Sequence, residues 1–361
     1  MKISFKPSLH WLFAFIPVTV ALEHVEGLSP PLLFFSAALA IVPIAALIVH
    51  STEQIAKRTG DAVGGLLNAT FGNAPELIIA MVALKAGLHE MVLASLVGAI
   101  LANLLFAQGT AFILGGLRNH EQKFNASSTR LYSSMMLIAV ISLIVPSAFS
   151  RFLAEKDAAA TVTSLNTSFC VVLLVIYGLY LLFTLKTHAD LFQSVGGSQE
   201  GGHEEHAWGM PRAIGSLLAA SVLAAWMSEI LVGAAEGTGH ALGMSSAFIG
   251  MIFLALVGGA AESGSAIAMA RKNKPDLAVG IAMGSCVQIA LFVAPVLVFA
   301  SRFVGPHPLT LNFNRAETGM LLFAVLLGGI VSNDGQSTWF KGVQLLAMYA
   351  LFALLYFFIP T

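Results

Sequence analysis

The sequence predicts an all-α membrane protein with about eleven transmembrane helices, and three observations support this fold class. Of the 361 residues, 57% are hydrophobic and only 10% are charged, whereas soluble domains are about 25% charged. Many apolar runs approach the roughly 20 residues that span a bilayer. No polar stretch exceeds about 30 residues, which leaves no room for a separate aqueous domain. The function is therefore expected to reside within the membrane bundle.

Hydropathy and helix-breaking residues place the predicted spans in order along the chain. They lie near residues 9–26, 31–56, 61–86, 89–116, 129–150 and 158–185 and, after a polar linker, near 212–236, 244–270, 277–301, 316–333 and 339–358. The first run follows Lys2 and Lys6, as in a signal peptide, but no small-residue cleavage site follows it. We interpret it as an uncleaved span, with a signal sequence or an interfacial helix as the alternatives.

The basic residues predict the orientation of these spans. At the N-terminus and in the loops after every second span lie 13 of the 18 Lys and Arg residues. Because positively charged loops stay in the cytoplasm, the N-terminus is expected there and the C-terminus outside. We expect a multi-pass protein of the prokaryotic inner membrane, and a homo-oligomer is compatible with the sequence. A net charge of -1 leaves no basic face for nucleic acid.

An acidic residue interrupts the third predicted span. The stretch Gly64–Ile79 reads GGLLNATFGNAPELII and carries Glu76 directly after a glycine, an asparagine and a proline. An acid at mid-bilayer costs roughly 2.5 to 3.5 kcal/mol even on lenient insertion scales, so it marks a functional site by default. The neighbouring breakers predict a discontinuous helix, and transporters hold ions at such breaks.

A similar stretch, Val257–Ile267, reads VGGAAESGSAI and carries Glu262 in the eighth span. The two glutamates divide the chain into an N-terminal helix (1–27), a first five-helix repeat (28–186), a cytoplasmic linker (187–211) and a second five-helix repeat (212–361). A repeat with an odd number of spans re-enters the bilayer in the opposite orientation, so these are predicted to be inverted repeats.

The residue types around these acids favour a hard cation. Ca²⁺ takes six to eight oxygen ligands, and Glu76 and Glu262 supply the carboxylates. Neutral oxygens are available from the following residues: Asn73, Asn103, Ser263, Ser285 and Gln288. No thiolate or histidine cluster lies at that depth, which disfavours copper and zinc. We interpret Cys170 and Cys286 as packing residues, and the sequence indicates no cofactor beyond the transported ion.

Two paired glutamates also explain proton coupling. Without a cation, burial and mutual repulsion favour the protonated carboxylic acids, and a divalent cation reverses that preference. Either two protons or one Ca²⁺ neutralise the pair, and an exchanger requires such mutually exclusive occupancy.

Three further residues are candidates for gating or proton access. Glu53 lies four residues before Lys57, so a helix-surface ion pair is an equally good interpretation. His50 precedes Glu53 by one turn. It could shuttle protons, or it could reach the membrane interface instead. Glu229 has no cation at helical spacing, which favours a functional role. In the linker, the polar run His203–His206 is best interpreted as a solvated loop, with a regulatory cation site as the alternative.

At these residues the sequence resembles the cation/proton exchanger family, the Ca²⁺/H⁺ antiporters of the Ca²⁺/cation antiporter superfamily. GLLNATFGNAPELI at 65–78 is similar to the family's first repeat motif, and GSCVQIALFVAPVLV at 284–298 is similar to the segment after its second. The resemblance implies eleven helices in inverted five-helix repeats and export of cytosolic Ca²⁺ against protons. It also implies that the backbone around Gly72, with Asn73, belongs to the site, and that Asn103 and Gln288 line it.

The second motif departs from the family pattern G-N-A-A-E-H. This chain has Gly259 in place of the asparagine and Ser263 in place of the histidine, while it keeps Glu262. Ion choice therefore stays open. An exchanger for Na⁺, K⁺ or Mn²⁺ is the first alternative, and a cation channel is the second, although channel carboxylates form rings by subunit symmetry. An enzyme is disfavoured because no H-E-x-x-H motif and no nucleophile with a positioned base is present.

Overall fold

The computed structural model describes residues 9–59, 61–149, 158–189 and 208–358. Within these residues the fold is helical apart from two short strands. The N-terminal half contains a 3₁₀ turn (Leu9–Ala14) and helices α1 (Phe15–Glu23), α2 (Pro30–Thr59), α3 (Asp61–Phe71), α4 (Ala74–Lys85), α5 (His89–Leu101), α6 (Gln108–Asn119), α7 (Ala126–Phe149) and α8 (Ala158–Leu182). The C-terminal half contains α9 (Met210–Leu242), α10 (Ser246–Phe248), α11 (Ala255–Gly258), α12 (Ala260–Arg271), α13 (Pro275–Gln288), α14 (Ala294–Ala300), α15 (Arg315–Ser332) and α16 (Trp339–Phe358).

Within the described residues, four segments of π-helix join or extend these helices, at Ala102–Ala107, Phe183–Thr187, Ile249–Leu254 and Ile289–Val293. The segments after α5 and α13 lie at corresponding places in the two halves. A π-helical turn inserts an extra residue into the ladder, and such turns are frequent at functional sites. Asn103 lies within the first of these two segments, and Ser285 and Gln288 lie just before the second.

In the described part of the chain, eight helices are long and apolar enough to cross a membrane, and a ninth span results if the bent pair of Ser246–Gly258 and Ala260–Arg271 is counted. The remaining two predicted spans are shorter helical segments. The first is the apolar helix Trp11–Glu23, which falls below the roughly 20 residues that a straight span needs. The second is the pair α3 and α4. The predicted all-helical membrane fold is confirmed, and every predicted span coincides with helical structure.

Two extensive hydrophobic clusters, and a third of only Ala111, Ala270 and Ala278, hold the described helices together. One of the two extensive clusters forms where α2 packs along α9, with Phe34, Ile41 and Ile48 of α2 fully buried. The larger cluster unites α5, α7, α8 and α13 to α16, with Met283 and Leu321 fully buried. The helices α4 and α12, which carry the two glutamates, lie where the α2–α9 pair meets the larger bundle. The site is therefore positioned between two separately packed groups of helices.

Two short strands join the loops at one end of the bundle. Strand β1 (Glu121–Lys123) pairs antiparallel with β2 (Gln336–Thr338). Gln122 of β1 is buried and donates hydrogen bonds to the carbonyl oxygen of Ala270 and to Oδ1 of Asn273, both at 2.8 Å. These bonds attach the strand pair to the end of α12. The linker prediction for His203, Glu204, Glu205 and His206 lies outside the described residues.

Candidate functional site

Each glutamate lies in the first turn of a helix that follows a break. Glu76 is the third residue of α4, and Glu262 is the third residue of α12. The first break falls at Gly72 and Asn73, where Pro75 cannot supply a backbone N–H to continue the preceding helix. The second falls at Gly259, and the helices on its two sides are bent by 56°. A carboxylate in a first helical turn is favoured by the helix dipole.

The two breaks lie against each other, so each glutamate faces the break of the opposite repeat. A Cβ atom on Gly72 would lie 3.8 Å from Oε1 of Glu262, and one on Gly258 would lie 3.0 Å from Cγ of Glu76. The structure therefore brings together two acids that are far apart in the sequence. Glu76 is buried, whereas Glu262 is half-buried.

Amide and hydroxyl side chains link the two repeats beside the acids. Asn73 donates from Nδ2 to Oε1 of Gln288 at 2.5 Å, and its Oδ1 lies 2.9 Å from the Ser285 hydroxyl. That hydroxyl also contacts Oε2 of Glu262. Asn103 reaches the same group, with Nδ2 at 3.1 Å from Oγ of Ser285 and 3.4 Å from Oε2 of Glu262. These bonds fix the carboxylate of Glu262 in one orientation.

Glu76 has a different environment. Both of its carboxylate oxygens and Oδ1 of Asn103 are buried, and no donor of another residue in the described part of the chain reaches them. Leaving a buried polar group without a partner costs about 1–3 kcal/mol, and more for a charged group. These three oxygens therefore need a proton, water or a cation. A hard divalent cation fits such a set, which consists of carboxylate and amide oxygens.

A cavity of about 370 Å³ reaches this cluster from one end of the bundle. Its inner wall includes Gly72, Glu262, Ser285 and Gln288, whereas Glu76 is not among its lining residues. Toward its mouth it is lined by the following polar residues of five helices: Glu53, Asn68, Ser128, Tyr132, Thr184 and Asp276. An ion that enters through this cavity meets Glu262 first.

The structure assigns the remaining predicted residues to different places. Glu53 is exposed to the cavity and does not pair with Lys57 among the described residues. His50 lies outside the cavity lining, where its ring packs edge-on against Trp208 at 4.9 Å. Ser263 is buried in α12, and its side chain has no hydrogen bond to the described members of the cluster. Gly259 forms the second break, as expected.

Glu229 has an ion-pair partner that the sequence did not indicate. The sequence offers no cation at helical spacing, yet its carboxylate lies 3.0 Å from the ammonium group of Lys85. Because α4 crosses α9, the partner comes from a distant part of the chain. Both side chains are exposed and line a second cavity with Glu236, separate from the one that reaches Glu262.

Several polar residues of the cavity were not predicted from the sequence, among them Asp276 and Tyr132. Asp276 is the second residue of α13 and follows a cluster of basic residues, so in the sequence it looks like an ordinary loop acid. Asp276 accepts a hydrogen bond from the backbone N–H of Asn125 at 2.7 Å. Its position in the first turn of the helix after the Glu262 helix was the available signal.

Comparison with known proteins agrees with this architecture. The family described as "Sodium/calcium exchanger protein" matches the chain twice, over residues 29–186 and 212–358. A Ca²⁺/H⁺ antiporter of Aphanothece halophytica is 40% identical over 97% of this chain and 96% of its own length. The Ca²⁺/H⁺ antiporter ChaA of Bacillus subtilis is 42% identical over 88% of this chain and 89% of its own length.

A solved structure has the same fold. The structure of native YfkE superposes with a TM-score of 0.83 at 37% identity, and the match covers 98% of this chain and 100% of that one. Together with the sequence relatives, it confirms the resemblance inferred from the two motifs. These are transporter families, which agrees with the prediction that the chain is not an enzyme. The chain belongs to the sodium/calcium exchanger protein family and, within it, to the Ca²⁺/H⁺ antiporters of the Ca²⁺/cation antiporter superfamily.

Proposed function

We propose that this protein exchanges cytosolic Ca²⁺ for external H⁺ by alternating access to Glu76 and Glu262. The observation that carries the proposal is the pairing of these two acids across two helix breaks, where the buried carboxylate of Glu76 receives no hydrogen bond from any other described residue. The activity named for the relatives supports the choice of ions. The alternatives that the sequence left open, Na⁺, K⁺ or Mn²⁺ exchange and a channel, become outcomes of the test.

The chemistry follows from charge balance. Two ionised carboxylates close together in a site of low dielectric repel each other, so a state without a cation is stabilised by protonation of both. One Ca²⁺ neutralises the same two charges and takes its remaining oxygens from the neighbouring hydroxyl and amide groups and from water. The protons and the cation therefore compete for the site, and each drives the other across the membrane.

The shape of the site supports an order of events. The cavity lies at the ends of α2, α7 and α13 that the basic residues assign to the cytoplasm. Cytosolic Ca²⁺ would reach Glu262 first and then Glu76 behind it. Displacement of the α2–α9 pair against the larger bundle would then open the opposite side, as expected for inverted repeats. In this proposal, Glu53 attracts cations to the cavity, and the N-terminus lies in the cytoplasm.

The test is proton-driven ⁴⁵Ca²⁺ uptake into inside-out vesicles with an acidic lumen. The wild type should accumulate Ca²⁺, and both Glu76→Gln and Glu262→Gln should lose at least about 100-fold in rate, because each removes a charge that only the bound ion balances. Size-exclusion profiles of the detergent-purified variants check that both remain folded.

Three results would contradict the proposal. Uptake retained by both variants would remove the glutamates from the mechanism. Transport that requires Na⁺ or K⁺, or that carries Mn²⁺ and not Ca²⁺, would identify another exchanger. Single-channel currents far above the turnover of a carrier would indicate a channel.

A further inference from the structure

The two halves of the site differ at three corresponding positions. When Glu76 is aligned with Glu262, Gly98 of α5 and Gly284 of α13 also align. Three hydrogen-bonded side chains lie at the first break and on α13, which packs beside it. In this register each of the three has a small apolar residue as its counterpart. Asn73 corresponds to Gly259, Ser285 to Ala99 and Gln288 to Ala102. The half of the site at the first break therefore has an amide–hydroxyl–amide group, whereas the half at the second break has the single amide of Asn103.

The backbone does not require a glycine at position 259. Its φ of -77° and ψ of 8° are open to any residue. A Cβ atom there would lie 3.3 Å from the carbonyl oxygen of Ala255, so that carbonyl would have to shift by a few tenths of an ångström. The glycine is thus explained neither by strain nor by an overlap with a neighbouring helix, in contrast to Gly98, where a Cβ atom would overlap the carbonyl oxygen of Met251.

Two oxygens without donors border the space that a side chain at 259 would fill. Oε1 of Glu76 lies 3.6 Å from the position of that Cβ atom, and Oδ1 of Asn103 lies 3.8 Å from it. Glu76 is 8% exposed and Asn103 is 1% exposed. Both are acceptors that a cation or a water molecule can satisfy, and they converge on the point where the side chain is missing.

We propose that Gly259 makes room for a water molecule in the coordination shell of the transported cation, in the place of a fixed side-chain ligand. The proposal rests on the cation exchange proposed above. The oxygen of the water binds the ion, and its hydrogens are donated to Oε1 of Glu76 and Oδ1 of Asn103. The distance between a water molecule and the ion can change with the size of the ion, whereas an amide oxygen on a fixed side chain cannot move in this way. Gly259 therefore determines both the affinity for Ca²⁺ and the tolerance of larger ions such as Sr²⁺.

The experiment compares Gly259→Ala and Gly259→Asn in the vesicle assay, with Ca²⁺ and with Sr²⁺. The alanine methyl group displaces the water and supplies no ligand, so the KM for Ca²⁺ should rise about tenfold. A loss of this size is typical when a metal site loses the hydrogen-bonding partners around its ligands. The asparagine replaces the water with an amide oxygen. Its KM for Ca²⁺ should stay within about threefold of wild type, while the ratio of the KM for Sr²⁺ to that for Ca²⁺ rises.

Gly264→Ala is the matched control. Gly264 also lies in α12, beyond the break, and a Cβ atom there would meet no atom within 4 Å. It should leave both KM values unchanged. The proposal is overturned if Gly259→Ala leaves the KM for Ca²⁺ unchanged, or if it raises the KM no more than Gly264→Ala does. It is also overturned if Gly259→Asn leaves the Sr²⁺ to Ca²⁺ ratio at the wild-type value.

A second measurement separates this proposal from the proposed function. The Ca²⁺-dependent rise in Tm of the purified protein reports cation binding without transport. If wild-type vesicles show no proton-driven uptake, the exchange function fails, yet a smaller Ca²⁺-dependent rise in Gly259→Ala than in Gly264→Ala would still support the water ligand. Equal rises in the two variants would overturn it.

Discussion

The two sides of the glutamate pair are built from corresponding helices that pack differently. On one side, α5 contacts the π-helical segment Ile249–Leu254 directly. Gly98 packs on the backbone of Met251, and Gly250 packs on the backbone of Met91, both without room for a Cβ atom. We call this contact the glycine seal. On the other side, the corresponding segments are α3 and α13. Both line the cavity.

The glycines that correspond to the seal are present on the cavity side but have other neighbours. Gly64, the counterpart of Gly250, packs on α2, where a Cβ atom would lie 2.7 Å from the carbonyl oxygen of Ala56. Gly284, the counterpart of Gly98, faces the ring of Tyr132, where a Cβ atom would lie 3.7 Å from Cε1. Corresponding glycines therefore take part in two packings, one closed and one open, and an alternating-access carrier needs both kinds.

The largest effect is expected from an added methyl group in the seal. Gly98→Ala places a Cβ atom on the carbonyl oxygen of Met251, so the helices must separate, and overpacking of this kind costs about 1–3 kcal/mol. Gly284→Ala meets Tyr132 only at an ordinary contact distance and should be nearly neutral. Thermal unfolding of the purified variants measures the difference. Equal Tm values would show that the two sides do not differ in packing.

The next largest effect is expected in how fast a cysteine on each side reacts with a thiol reagent from the solvent. Gly280 lines the cavity, whereas its counterpart Ala94 is fully buried. In inside-out vesicles, Gly280→Cys should react with a membrane-impermeant thiol reagent at least roughly tenfold faster than Ala94→Cys, because the alternative state is a minor population. Both native cysteines are buried, so wild type gives the background rate. Faster labelling of Ala94→Cys would reverse the assignment of the open side.

A charge at the cavity mouth should have a few-fold effect. Glu53→Gln removes one of the acids that draw cations into the cavity, and its counterpart on the sealed side, Gly239, carries no charge. We expect the kcat/KM for Ca²⁺ to fall about threefold at low ionic strength and by less at high salt, because screening weakens steering. Glu121→Gln, an exposed acid outside the cavity lining, is the control. An effect independent of salt would indicate direct coordination instead.

The smallest effect is expected from the ion pair beside the second cavity. Lys85 and Glu229 are both exposed, so solvent screens their attraction, and such pairs contribute about 0–1 kcal/mol. A double-mutant cycle of Lys85→Gln and Glu229→Gln, followed by Tm, should give a coupling energy in that range. Cytosolic KM for Ca²⁺ should be unchanged in Lys85→Gln. A large coupling, or a changed KM, would make this pair part of the gate.

The sequence predicted the parts of the site that follow from local chemistry. Glu76 and Glu262 stand out because an acid in an apolar span is rare, and the glycines and proline beside them identify the breaks. The partner of Glu229 could not be found in this way, since Lys85 approaches it only where α4 crosses α9. Asp276 was missed for a similar reason, because its role at the cavity mouth depends on how α13 is placed relative to α2 and α7.

The amino-acid sequence by itself determined that this is a helical membrane protein with two broken helices, because apolar length, helix breakers and buried charge act over a few neighbouring residues. It also determined the family through two short motifs. Only the tertiary structure decided that Glu262 is hydrogen-bonded to Ser285 and Asn103 while Glu76 has no donor among the other described residues. It also decided that one side of the pair is sealed while the other is open. The first difference also follows the sequence, since Ala99 stands on the Glu76 side where Ser285 stands on the other. The second arises where corresponding glycines pack on different neighbours, so it depends on which helices meet in space.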